Sequence, residues 1–294
     1  LVKKYDFFIS IASLMPKACK KITGCDTVST GLYLQGKAED IDIDYSLLDT
    51  DLDFQIIHAS RGCFRKCTFC GTWKIEPKIV FEKSIIHKIK KRKLIFYDNN
   101  LLANPFIKNI LFELSKFRLH GLPISSECQS GLDGRILLEK PLLAKLLKEA
   151  HFRNPRIAWD GPVSDHARIK KQIDVLISAG YKANHKQADI YIFMIFNYKL
   201  SFKEMSLKLE YCRKWGVSVI DCRYRPLDSL EDNYLPRKKI QEPNDYFIYQ
   251  GWTDKQIRLF RRKVRRQNIA IRLGLPRNKY VEGVEKGFVK IVTY

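Results

Sequence analysis

Cys63, Cys67 and Cys70 stand in the run Arg61-Gly-Cys-Phe-Arg-Lys-Cys-Thr-Phe-Cys-Gly71, a C-x3-C-x2-C spacing with Phe69 just before the last cysteine. This spacing lets one short loop aim three thiolates at one point. Three thiolates suit an iron–sulfur cluster whose fourth iron has no protein ligand, and an open coordination position is a place for chemistry. The competing assignment is zinc, which takes four closed ligands, often from paired C-x2-C units. No second pair occurs, and His58 is the nearest histidine.

The other cysteines, at 19, 25, 128, 212 and 222, are irregularly spread over 294 residues. That is not a small disulfide scaffold, so a reducing cytoplasm is expected, with buried inert thiols outside the triad and no auxiliary cluster. A hydrophobic content of 45% supports a real core, and no run approaches the roughly 18 apolar residues of a membrane span. No cleavable signal pattern is read. The formal net charge is +21, and residues 251–294 hold 12 Lys/Arg against 3 Asp/Glu. Such a balance favours anionic partners, nucleic acid among them.

Something must position the cysteine loop. Phe54–His58 reads as a buried strand directly before it, and a weak helix is expected over Glu82–Lys90. Further strands are expected at Lys93–Tyr97, Pro123–Cys128, Arg156–Asp160, Ile190–Phe196 and Val217–Cys222. Helices are expected from Asn104-Pro105, over Pro141–Ala150, from a Ser164 cap to about Gly180, and from a Ser201/Glu204 capping box to Gly216. The six alternations predict parallel strands with crossover helices, whose carboxyl ends gather polar residues. A Thr253/Gln256 capping box opens a last helix with Ile257, Phe260 and Val264 as its apolar stripe. Residues 1–50 form no complete unit.

These residues resemble the signature of radical S-adenosylmethionine (SAM) enzymes over about residues 51–235. Asp98-Asn-Asn-Leu-Leu-Ala-Asn-Pro105 and Gln129-Ser-Gly-Leu-Asp-Gly-Arg135 look like the branch that often carries an N-terminal cobalamin-binding domain. Residues 1–50, ending in Asp44-Tyr-Ser-Leu-Leu48, resemble the tail of such a domain, which places cobalamin among the cofactors to consider. The resemblance implies an α/β fold, a partial (β/α)6 TIM-type barrel, followed by a basic helical C-terminal extension over 236–294. It implies a 4Fe–4S cluster on Cys63, Cys67 and Cys70, with SAM chelating the open iron. It places Phe69 against the adenine, Asp98 and Asn99 at the SAM amino group, Arg135 at its carboxylate and Asp160 at the ribose. Glu127 and Gln129 are weaker candidates, and Tyr191–Asn197 is expected beneath the adenine.

The function so implied is reductive SAM cleavage that starts radical chemistry, with methyl or methylthio transfer as the expected outcome and a flavodoxin or ferredoxin as electron donor. No residue beyond the cysteines is assigned to catalysis. Two alternatives stay open: a tRNA-modifying member of the family, and a non-catalytic iron–sulfur sensor or electron carrier. A cytoplasmic protein without a membrane partner is expected.

Overall fold

Strand and helix alternate along the chain in the computed structural model, which describes residues 52–76, 78–183, 188–226, 232–235, 238, 241 and 244–275. Cys19, Cys25 and the 1–50 segment lie outside these residues. The chain divides into two compact units that interleave in sequence.

The first unit reaches to Ser130 and adds Glu149–Phe152 and Arg225–Phe247. It holds β1 (Phe54–Ile57), α1 (Thr72–Ile75), β2 (Lys93–Phe96), α2 (Ile107–Lys116) and β3 (Ser125–Cys128). β2 is central and pairs in parallel with both β1 and β3, Lys93 lying level with Phe54 and Ser125. A short strand at Phe152–Arg153 borders β3. Leu94, Ile95 and Phe96 are all buried, the continuous apolar run of a strand covered on both faces. On α2 the buried side chains are Ile107, Ile110, Leu111 and Leu114, one stripe at helical spacing.

The second unit comprises Gly131–Lys148, Arg153–Tyr224 and Ile248–Tyr294. Its elements are α3 (Gly134–Glu139), α4 (Leu142–Glu149, all but its last residue here), β4 (Arg156–Ala158), α5 (His166–Ser178), β5 (Tyr191–Phe196), α6 (Phe202–Trp215), β6 (Ser218–Arg223) and α7 (Asp254–Leu273). β5 is central, parallel to β4 and β6. Its side chains alternate: Ile192, Met194 and Phe196 are buried, their neighbours half-buried. Gly134 opens α3 against α5, and a Cβ there would have to push the side-chain amide of Gln172 aside.

Four local expectations change. Glu82–Lys90 forms no α-helix, only a 3-10 turn at Ile86–Lys88. Tertiary bonds claim backbone groups that helix would use: Asn104 Nδ2 donates to Glu82 O, and Lys90 N–H donates to Gln55 Oε1. The third strand begins at Ser125, because Leu122–Pro123 pairs antiparallel with Arg118–Leu119. Ser164 caps nothing; it lies in a 3-10 turn, and α5 starts after Asp165. Ser201 accepts from Glu204 N–H, but the Glu204 carboxylate turns away to take Val163 N–H at 2.9 Å, so only half the box forms. The Thr253/Gln256 box is complete. Among the described residues, no helix is long and apolar enough to cross a membrane.

Candidate metal centre

In the first unit the cysteine loop leaves the end of β1, and two carboxylates hold the stretch Ala59–Gly62 that leads into Cys63. Asp98, at the end of β2, is fully buried. Its carboxylate accepts from Ala59 N–H at 3.0 Å, from Ser60 N–H, and from the Ser60 hydroxyl at 2.7 Å. Burial pushes this carboxyl up to about 7 from 3.8, against the pull of those donors. Asn104 Nδ2 fastens the same point from the other side, donating to Ala59 O at 2.8 Å.

Glu76, just beyond α1, holds the next step of the loop. It accepts from Arg61 Nη1 at 3.1 Å, from Gly62 N–H at 2.8 Å, and from Asn99 Nδ2 at 2.5 Å. Asn99 Oδ1 in turn accepts from Thr72 Oγ1 at 3.1 Å. Gly62 has φ +74°, and a Cβ there would collide with the Lys78 carbonyl oxygen. Glycine is therefore required immediately before Cys63.

Cys63, Cys67 and Cys70 are in no disulfide and are half-buried. Arg65 N–H donates to Cys63 Sγ at 3.4 Å, and Asn100 Nδ2 lies 4.0 Å from the same sulfur. The Cys70 thiol faces Thr72 Oγ1 at 3.2 Å. Cys70 N–H and Trp73 Nε1 both donate to Cys67 O, at 3.1 and 3.3 Å, which tightens the turn between the last two cysteines. Donors aimed at sulfur are the surroundings in which thiolate ligands are stabilised and cluster potentials tuned. Among the described residues, His, Cys, Asp and Glu side chains do not converge in threes on one point. His58 lies 3.3 Å from Arg61 Nη1, and burial, then Arg61 and Lys88, lower it to about 3. It is neutral, and its Nε2 faces the Arg61 guanidinium.

In the second unit, Asp133 caps α3 by accepting Arg135 N–H at 3.2 Å, and the same oxygen takes Arg135 Nε at 3.0 Å. The Arg135 side chain stays 47% exposed, leaving much of its fork open. Asp160 follows β4, and burial raises its carboxyl; Lys208, a backbone bond from Ile195 and the charge of Arg135 oppose the rise. Arg135 and Asp160 are thus electrostatic neighbours in this unit. Lys208 is buried on α6 and donates to Trp159 O at 2.7 Å and Gly161 O at 2.9 Å, clasping the loop on both sides of Asp160. Burial lowers its amine to about 8, with Asp160 the strongest opposing charge.

Of the residues singled out from sequence, Cys63, Cys67, Cys70, Phe69, Asp98 and Asn99 belong to the first unit, and Arg135 and Asp160 to the second. Phe69 is half-buried between the last two cysteines. Asp98 and Asn99 bind the cysteine loop itself, one directly and one through Glu76 and Thr72. Gln129 Nε2 donates to Glu127 Oε1 at 3.3 Å. Sequence reasoning missed Ser60, Glu76 and Lys208. Ser60 and Glu76 carry no local signal, but Lys208 falls on the buried face marked by Met205, Leu209 and Cys212, where a lysine is out of place. No protein-family model matches the chain, and no curated protein matches it.

Proposed function

We propose that this chain is a radical SAM enzyme built on a partial (β/α)6 barrel. One observation carries it: three half-buried cysteines, none in a disulfide, leave the first parallel strand at C-x3-C-x2-C spacing on a loop whose entry is fixed by Asp98 and Glu76. The donor set fits a cluster better than zinc, since three thiols come from one loop and the sequence offers no second cysteine pair beside them.

When bound, a four-iron cluster with one iron free of protein ligands supplies the electron that splits the sulfonium of SAM and starts radical chemistry. Cys63, Cys67 and Cys70 hold it. Asp98 acts as a positioning residue, because its oxygens are spent on Ala59 and Ser60. Asn99 ties the second strand end to the loop through Glu76 and Thr72 and would meet the SAM amino group, and Phe69 would pack on the adenine. Arg135 offers a half-free guanidinium to the SAM carboxylate, for which a planar fork is suited. Asp160, with Lys208 as its buried counter-charge, takes the ribose hydroxyls. The reaction class is methyl or methylthio transfer, and an external one-electron carrier protein reduces the cluster.

Anaerobic reconstitution tests this. Four irons per chain and 5′-deoxyadenosine formed from SAM with a strong reductant are expected, and Cys67→Ala should lose both. A four-iron sample that forms no 5′-deoxyadenosine refutes the enzyme and leaves an iron–sulfur sensor or electron carrier.

A further inference from the structure

α7 divides its cations into two sets. Ile257, Phe260 and Val264 are buried, with the Phe260 ring 5.0 Å from that of Phe196. Arg258 pairs with Asp254 at 2.7 Å and Arg261 with Asp221 at 2.9 Å. Asn268 bonds both the N–H and the carbonyl of Val219, at 2.9 and 2.7 Å. These contacts fix the helix against β6 and orient its outward face.

That face carries Lys255, Arg262, Lys263, Arg265, Arg266 and Arg272, all exposed. Lys263 reaches Ser206 Oγ at 3.5 Å and lies over the Phe202 ring, and Arg265 lies within electrostatic reach of Asp221. Among the described residues, none of the six forms an ion pair. The single acidic residue of α7, Asp254, is spent on Arg258. Ordinary surfaces mix the two signs, and like charges three and four residues apart weaken a helix. A partner that neutralises the row would remove this repulsion.

We propose that the outward face of α7 binds the phosphate backbone of a nucleic acid. Four of the six cations are arginines, whose fork engages phosphate oxygens in pairs. Arg262 to Arg272 spans ~15 Å of helix, about four phosphates at 3.4 Å rise along one strand. An anionic membrane fits less well. A helix lying in a lipid interface needs an outward apolar face, whereas the stripe of α7 is buried and only Leu273, at its C-terminal end, and Leu275 beyond it are strongly exposed apolar residues.

The test uses the full chain without cluster loading, so it succeeds or fails independently of the radical SAM reading. Fluorescence anisotropy follows labelled single-stranded RNA, duplex RNA and duplex DNA, each of mixed sequence, from 50 to 300 mM NaCl. The variant R262Q/R265Q/R266Q/R272Q is expected to bind at least ~100-fold more weakly at 100 mM salt, with the log–log salt slope on duplex shallower by roughly 3 to 4. K108Q/K116Q/K171Q/K203Q removes the same charge elsewhere and should change binding less than about threefold. Equal losses in both variants would overturn the assignment. So would binding insensitive to salt, or phosphatidylserine vesicles bound through the same four arginines without any nucleic acid binding.

Discussion

Replacing Asp98 by asparagine tests how the cysteine loop is held. The carboxyl is fully buried, and the chain raises it to about 7 from an ordinary 3.8. In the folded state it therefore binds its proton more tightly than in the unfolded chain. Its contribution to stability is complete below pH 3.8 and is lost as pH rises to about 7. That span, at about 1.4 kcal/mol per pH unit, amounts to roughly 4 kcal/mol. Asparagine has nearly the same shape but does not titrate. At acid pH Asp98→Asn is expected to be the less stable protein, by about 1–2 kcal/mol, because its amide nitrogen meets the donor of Ala59. As pH rises from 4.5 to 8 the difference should shrink and reverse, moving by a few kcal/mol in favour of the variant. Urea unfolding of both proteins at half-unit pH steps measures it. A difference independent of pH, or one that grows in favour of the wild type as pH rises, would refute the reasoning. It would mean that the donors of Ala59 and Ser60 outweigh burial and hold the carboxylate low.

Lys208→Met should destabilise by about 3–5 kcal/mol, since it strands two carbonyls and removes the counter-charge of Asp160; a melting temperature equal to wild type would contradict this. Gly62→Ala should cost roughly 1–3 kcal/mol and lower iron uptake, because the new Cβ meets the Lys78 carbonyl. Iron content and melting curves check both effects, and a fully loaded, stable variant would show that the loop tolerates a shift. Arg261→Ala should loosen α7 and leave its exposed face chemically intact. Faster amide exchange over 254–273 is the expected readout, and unchanged exchange would remove Asp221 as its anchor.

What was legible in the sequence is what short stretches of chain decide. The cysteine spacing is local, and so are the apolar stripe of α2, the apolar run of β5, the Thr253/Gln256 box and the glycine that ends α6. Each depends on helical or extended repeat over a few residues. The parallel order also followed, because alternating strands and helices leave few other arrangements. What only tertiary structure decided is which distant groups meet. Asn104 and Gln55 take the Glu82 carbonyl and the Lys90 N–H, so the weak helix expected over Glu82–Lys90 does not form. Asp98, expected at a ligand, is spent on Ala59 and Ser60, almost forty residues earlier. Lys208 clasps carbonyls nearly fifty residues before it. A buried charge or amide must find partners wherever folding brings them, and its own neighbours in sequence do not say where. The cysteine loop shows the division: its three cysteines are written in eight consecutive residues, while the carboxylates that fix it come from the next strand and from beyond α1.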